Sequence, residues 1–152
     1  MDSQLIHAEA VKPALSLLSA TGFQGPEQDL IGAFDHYRHG RFKEAGADAL
    51  KAFESTMKSI CKARRWPHDP GATAKPLLDV LFTHGLIPPE LQSHFGGLRS
   101  ALESGLPTLS NRTSRHGQGP DPKPHAPHFA AYMLHLVAAN IVFLVQAHKA
   151  RS

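Results

Sequence analysis

Apolar residues recur at three- and four-residue steps along most of the chain, which is the spacing of one face of an α-helix. The clearest example is residues 41–65, where the apolar positions form a nearly continuous stripe and the lysines lie off it. The sequence contains no strand-like alternation and no internal repeat. The pattern therefore predicts an all-α protein, a bundle of four long helices with smaller ones.

Breaks in this pattern indicate where the helices end. We expect helices over residues 4–19, 27–37, 41–65, 74–84, 88–103 and 127–149. Pro13 should kink or shorten the first helix, and Gly40 should follow the end of the second. Thr73 could cap the fourth helix. The Gly96–Gly97 pair costs helix propensity, so it predicts close packing or a bend.

Residues 105–127 differ from the rest because they are rich in Pro and Gly and poor in large apolar groups. We expect a long loop or a ragged helix end there, and long loops in compact domains are usually functional or disordered. The expected organisation is an N-terminal amphipathic helix and linker over residues 1–26. A helical domain over residues 27–150 follows and carries a functional loop at 105–127.

Composition narrows the class of protein. The chain has 152 residues, enough for one ordinary domain, and 41% of them are hydrophobic, which argues against global disorder. Its one cysteine excludes an intramolecular disulfide and a thiolate zinc cluster, so we expect a reducing, cytoplasmic setting. The most apolar stretch, residues 129–145, is interrupted by His135 and Asn140, which favours a buried core helix and no membrane span.

The charge balance is mildly basic, with 16 Lys and Arg against 13 Asp and Glu, and there are also 11 His. This balance is compatible with an RNA partner without requiring one. The sequence lacks the phosphate-binding loop, the dinucleotide fingerprint, the HExxH zinc motif and the GxSxG elbow. The pairs His36/His39 and His125/His128 have no third ligand, so we predict neither a metal nor a cofactor.

The best candidate for chemistry is the segment of residues 110–119, with Asn111, Arg112, Arg115 and His116 close to two glycines. Arginine binds phosphate through a planar fork of donors, and histidine can move a proton near neutral pH. Such a set could cleave RNA without a metal, because a base can take the 2′-OH proton while arginine stabilises the developing charge. The alternative is a solvated basic loop with one ordinary histidine.

From about Ala33 to His148 the sequence resembles the C-terminal domain of abortive-infection proteins, the Abi-C family of the HEPN superfamily of small helical bundles. The matching stretches include residues 40–45, 51–57, 66–67, 74–75, 85–88, 91–95, 98–100, 102–105, 107–108 and 116–119. The resemblance implies a homodimer in which two active loops meet at a shared cleft. It also implies a metal-independent ribonuclease used as a toxin or antiviral effector.

The motif of such ribonucleases is an arginine, a polar residue, a short spacer and a histidine. Asn111 and the His116-Gly-Gln-Gly119 run are in register with it, but Ser110 occupies the arginine position. Three explanations stay open. Arg112 or Arg115 substitutes, the chain is a natural non-catalytic member, or it is an engineered inactive form.

The resemblance assigns roles to individual residues. His116 would transfer the proton, Arg112 or Arg115 would contact phosphate, and Asn111 and Gln118 would position the RNA backbone. Glu54 would orient His116, or else simply pair with Lys51 or Lys58. Arg99 is a weaker candidate phosphate contact, the alternative being a solvated helix charge.

The resemblance leaves the activity and the partners open. The alternative function is a non-catalytic module that binds RNA or nucleotide, or that serves as a dimerisation scaffold. RNA is the expected ligand, and an antitoxin or an N-terminal sensor domain is a further candidate partner. Trp66 is expected to form a packing corner rather than to stack on a base, and Cys61 to be a buried, inert thiol.

Overall fold

The structure is a computed structural model that describes the backbone of residues 3–114 and 127–151, and the side chains of residues 7–103 and 127–151. This part of the chain contains six helices and no strand, which confirms the predicted all-α class. The helices are α1 (Ser3–Thr21), α2 (Gln24–Arg38), α3 (Phe42–Arg64), α4 (Ala74–Thr83), α5 (Pro89–Ser114) and α6 (Pro127–Ala150).

The turn between α1 and α2 is shorter than predicted. α1 continues through Pro13 to Thr21, and α2 already begins at Gln24. Gly22 makes this turn with a φ of 79°, a left-handed conformation that favours glycine. Gly40, with a φ of 75°, follows the end of α2 as predicted.

Helix α5 is longer than predicted. It continues to Ser114, about three turns beyond the expected end near Glu103. The apolar spacing of Leu98, Leu102, Leu106 and Leu109 is the signal for this extension, and Gly105 and Pro107 obscured it. Of the predicted loop at 105–127, residues 105–114 are thus helical, and 115–126 lie outside the described residues.

The Gly96–Gly97 pair in α5 does not serve close packing within the described chain. A Cβ atom added at either glycine would meet no other atom within 4 Å, and α5 remains one continuous helix. The prediction of close packing at this pair was therefore wrong. Gly97 instead borders a shallow recess of about 320 Å³ between α5 and α6.

The hydrophobic core is built around α3 and α6. α3 packs against α2, α4, α5 and α6, and α1 packs against α6 and α2. α3 buries Phe53, Met57 and Ile60 completely, because its apolar residues form one stripe. Each such side chain contributes about 1.5–3 kcal/mol when it leaves water.

Helix α6 is apolar on nearly all sides because it runs through the interior. It buries ten residues, including Asn140, whose side-chain amide donates to the carbonyl of Leu136 at 2.8 Å. In the described part of the chain, α6 alone is long and apolar enough to cross a membrane by length and composition. A core helix meets the same criterion, and 56% of its most apolar window is buried here.

A chain of three polar rings joins α1 to α2 and α6. His7 Nδ1 lies 2.8 Å from His135 Nε2, and the Tyr37 hydroxyl lies 3.0 Å from His7 Nε2. Burial and the neighbouring His7 lower the pKa of His135, and burial raises the pKa of Tyr37. These bonds tie the first turns of α1 to the helices that form the core.

Candidate functional site

The described residues of the candidate site lie where α3, α4 and α5 meet. Glu54 projects from the middle of α3, next to the fully buried Phe53, and its side chain is half-buried. The backbone N–H of Ala74, the first residue of α4, is close enough to this carboxyl to favour its charged form. Lys58 on α3 and Glu103 on α5 are close enough to affect its ionisation. We call Glu54, Lys58, Arg99 and Glu103 the Glu54 cluster.

Two opposing influences set the protonation of Glu54. Burial raises the pKa of this carboxyl above its usual value, and the negative charge of Glu103 raises it further. Lys58 and the N–H of Ala74 act in the opposite direction and leave a net upward shift. A carboxyl with a raised pKa can give up or take a proton closer to neutral pH than an exposed one.

Glu54 also completes the N-terminus of α4. Thr73 occupies the predicted cap position, but its side chain makes no capping hydrogen bond. The first N–H groups of a helix lack partners within that helix, so an external acceptor such as Glu54 stabilises them. Glu54 therefore has a structural role, in addition to the two roles predicted for it.

Arg99 is paired within α5. Its Nη1 lies 3.1 Å from Glu103 Oε2, one turn along the helix, and its side chain is 27% exposed. The pair holds the guanidinium partly out of water beside the Glu54 cluster. Arg99 is thus neither a fully solvated charge nor unpaired, and a phosphate group would have to compete with Glu103 for it.

The backbone of α5 relates this cluster to the predicted motif. Position 110 follows Arg99 by three turns, so the two positions lie within about 20° of each other around the helix and about 16 Å apart along it. Position 112 lies about 200° around the helix from position 110. The backbone of Ser110, Asn111 and Arg112 belongs to α5, and their side chains lie outside the described ones.

The remaining residues of the predicted motif, Arg115, His116 and Gln118, lie outside the described residues. The structure thus brings together Glu54, Arg99 and Glu103, and it does not test the predicted pairing of Glu54 with His116. The sequence analysis did not identify Glu103, although its position four residues after Arg99 is the spacing of a helical ion pair.

Other predicted polar residues have structural partners. His36 accepts a hydrogen bond from Arg41 Nε at 2.7 Å and lies 3.5 Å from Asp48, and His39 lies 3.6 Å from Asp35. Over residues 7–103 and 127–151 no group of three His, Cys, Asp or Glu is arranged to hold a metal ion. Burial raises the pKa of Cys61 to about 11, which confirms a buried, inert thiol.

Comparison with protein-family models gives one result. Residues 24–148 match the family model Abi_C, described as a HEPN-like domain. The match begins at α2 and ends near the C-terminus of α6, so it includes the Glu54 cluster and leaves out α1. Comparison with curated proteins and with solved structures gives no match.

Proposed function

Because the chain belongs to the Abi_C family of HEPN-like domains, which is associated with abortive infection, we propose that it is a metal-independent endoribonuclease of antiviral defence. The observation that carries this proposal is the half-buried carboxyl of Glu54, held beside α5. That helix contains Ser110 and Asn111 and is followed in the sequence by the segment that contains His116. The resemblance to HEPN ribonucleases supplies the reaction.

In the proposed reaction His116 takes the proton from a ribose 2′-OH. The 2′-oxygen attacks the adjacent phosphorus, the bond to the 5′-oxygen breaks, and the leaving oxygen takes up a proton. The products are a 2′,3′-cyclic phosphate end and a 5′-hydroxyl end. Glu54 would orient His116, Asn111 and Gln118 would position the backbone, and an arginine would stabilise the charge on the phosphate.

This mechanism has no assigned arginine, because Ser110 occupies the position at which the motif has one. Arg112 and Arg115 are the candidate substitutes. Position 112 faces away from position 110 around α5, so Arg112 would have to reach the phosphate from a different side of the helix. The loss of one such preorganised donor reduces a rate by about a hundred- to a thousand-fold.

This departure favours a second candidate function. A HEPN module that has lost its motif arginine can still bind RNA or nucleotide, or serve as a scaffold for dimerisation. In that case Ser110 marks a lost activity, and restoring the arginine should restore cleavage.

The experiment that separates these functions is incubation of the purified protein with mixed cellular RNA in EDTA. We expect slow cleavage that is abolished in His116→Ala and accelerated about a hundred-fold or more in Ser110→Arg. Arg112→Gln and Arg115→Gln identify the substitute arginine, and His39→Ala removes an exposed histidine directly after α2 as a matched control. Cleavage that persists in His116→Ala would contradict the assignment. Cleavage by Ser110→Arg alone would favour the second function.

We further propose that the protein is a homodimer that pairs through the first turns of α6. Phe129 is 49% exposed and Tyr132 is 61% exposed there, directly after the segment 115–126 that contains His116. Pairing across this surface on a two-fold axis would bring the two His116 segments close together, as a shared cleft requires.

A further inference from the structure

The helices α3 and α6 end together at one end of the bundle, where basic residues are concentrated. Arg64 Nη2 donates to the carbonyl oxygens of His148 and Arg151, and Arg64 Nε donates to His148 Nδ1 at 2.9 Å. These bonds hold the last turns of the two helices side by side. We call the cations of this surface the basic end; they are Lys62, Arg64, Arg65, Lys149 and Arg151.

The charges of the basic end are not neutralised by neighbouring acids. Within the described part of the chain, none of its five cations forms an ion pair with a carboxylate. The nearest carboxylate in the sequence, Asp69, accepts a hydrogen bond from the N–H of Gly71 in the turn that follows α3. Arg64 and Arg151 donate to carbonyl oxygens, so Lys62, Arg65 and Lys149 are the cations with no hydrogen-bond acceptor in the described chain.

The backbone at Arg65 is unusual for a charged residue. Arg65 has a φ of 59°, a left-handed conformation in which glycine is favoured, and it closes α3 through a hydrogen bond from Trp66 N–H to the Cys61 carbonyl at 2.9 Å. An L-residue there costs about 1–2 kcal/mol relative to glycine. The side chain of Arg65 is exposed and forms no hydrogen bond, ion pair or ring contact within the described chain that would offset this cost. A ligand for the guanidinium is a physical reason to keep arginine.

Aromatic rings lie among these cations. The Trp66 and His84 rings are stacked with centroids 4.3 Å apart and planes 5° apart. The Arg151 guanidinium lies 5.6 Å from the Trp66 ring centroid and donates to the His84 carbonyl at 2.7 Å. Trp66 therefore does form a corner of the fold, as predicted, but His84 is exposed and extends the stacked pair toward solvent.

We propose that the basic end is a binding surface for single-stranded RNA, with the exposed cations contacting phosphates and the Trp66–His84 pair stacking on a base. Unpaired cations next to aromatic rings are the combination that binds single-stranded nucleic acid, whereas an acidic protein or an anionic membrane requires no aromatic stack. Beside Lys62 the surface continues into a recess of about 390 Å³ lined by Gly22, Phe23, Gln24, Ser59 and Ala63.

The inference rests on the proposed function for its choice of RNA, and it adds a second contact surface to that function. α6 is 24 residues long, so the basic end lies about 35 Å along this helix from its first residue, which follows the segment containing His116 in the sequence. A strand that reached both places would have to be several nucleotides long. The surface therefore selects for long, unpaired RNA, and its cations lie about 15 Å along α3 from Glu54, so they leave the chemistry itself unchanged.

The test measures binding separately from cleavage. The protein carries His116→Ala and is kept in EDTA, and a fluorescein-labelled, unstructured RNA of about 12 nucleotides is titrated by polarisation at about 50 to 200 mM salt. The test variant is Lys62→Gln/Arg65→Gly/Lys149→Gln. The matched control, Lys12→Gln/Lys43→Gln/Lys75→Gln, removes the same charge from exposed lysines elsewhere.

We expect the test variant to bind about tenfold or more weakly at low salt and to lose about 2 from the slope of log affinity against log salt, as three phosphate contacts imply. The control should keep both values. Arg65→Gly alone should bind more weakly while its Tm rises, because glycine relieves the left-handed strain. Equal losses in the test and control variants would overturn the proposal.

The single tryptophan gives a second readout of the same surface. RNA should quench the fluorescence of Trp66 as a base stacks on the pair, and polyphosphate of equal charge should bind with little quenching. Equal quenching by polyphosphate, or equally tight binding of vesicles of anionic phospholipid, would overturn RNA as the partner. If the unaltered protein binds RNA as expected and yet fails to cleave it, that result would support the basic end as an RNA-binding surface and contradict only the proposed ribonuclease activity.

Discussion

At the scale of single residues, Glu54 has a structural and a chemical role at the same time. Its carboxylate lies near the first N–H of α4, which needs only an acceptor oxygen. Its ionisation is opposed by burial and by Glu103, which is relevant to proton transfer. The two roles can be separated, because glutamine keeps the acceptor and removes the charge.

We predict that Glu54→Gln leaves the unfolding midpoint near pH 7 unchanged or slightly higher, while Glu54→Ala lowers the free energy of unfolding by about 1 kcal/mol through loss of the cap. The pKa of Glu54 is raised by folding, so its contribution to stability is present below its unfolded pKa and is lost as the pH rises through its folded pKa. Any stability that Glu54→Gln gains over the unaltered protein at pH 7 should therefore disappear near pH 4.

Thermal unfolding at pH 4 and pH 7 measures this, with the exposed Glu9→Gln as control. A stable Glu54→Gln protein that cleaves RNA more slowly would support the orienting role. Equal loss of stability in both variants would contradict the cap.

At the scale of elements, α1 is attached to the family domain in two ways. Val11, Ala14 and Leu18 are at most 1% exposed and fill the core beside α2 and α6. The His7, Tyr37 and His135 rings add polar contacts near the start of the helix. The family match begins at residue 24. α1 therefore lies outside the matched domain and packs onto it through these contacts.

The ring cluster predicts a pH dependence of stability. Folding lowers the pKa of His135, so its contribution to stability is present above the unfolded pKa and is lost as the pH falls through the folded pKa. We expect the free energy of unfolding to fall between about pH 7 and pH 5. His135→Gln should flatten this slope and lower stability at pH 7 by about 1 kcal/mol.

Urea unfolding across this pH range provides the measurement, with the exposed His128→Gln as control. Burial and Arg64 also lower the pKa of His148, which adds a slope of the same sign in every variant. A slope for His135→Gln equal to that of the unaltered protein would show that the ring cluster does not titrate.

At the scale of the whole molecule, the two ends of the bundle have different surfaces. One end exposes Phe129 and Tyr132 in the first turns of α6, and the other end carries the cations of the basic end, which have no carboxylate partner within the described chain. In the proposed dimer, the apolar ends meet and the basic ends lie far apart. A dimer of this kind would offer two RNA-binding surfaces to one shared cleft.

The dimer proposal predicts that Phe129→Ser/Tyr132→Ser converts the protein to a monomer and reduces cleavage, because both side chains are about half exposed in a single copy. Sedimentation velocity measures the mass, and circular dichroism should be unchanged. Ile31, which is 49% exposed on α2, provides the control variant Ile31→Ser. A monomeric protein before substitution, or a double variant that stays dimeric, would contradict the interface.

The helical class and most helix positions follow from the sequence, because periodic apolar residues specify helices locally. α3 and α6 begin and end within two residues of their predicted bounds, and Gly40 ends α2 through its positive φ. It also predicted the inert Cys61 and the satisfied Asn140, since both lie on buried helix faces. Short stretches of the sequence that resemble Abi-C proteins also identified the family.

Which distant residues meet depends on how the helices pack against one another. Glu54 and the N–H of Ala74 are 20 positions apart, and Arg64 and His148 are 84 apart, so no local pattern connects them. The extension of α5 beyond Glu103 was obscured by Gly105 and Pro107, because both residue types have low helix propensity. Solvation and charge pairing depend on neighbours across the bundle, which is why the raised pKa of Glu54 and the unpaired cations of the basic end emerged only from the fold.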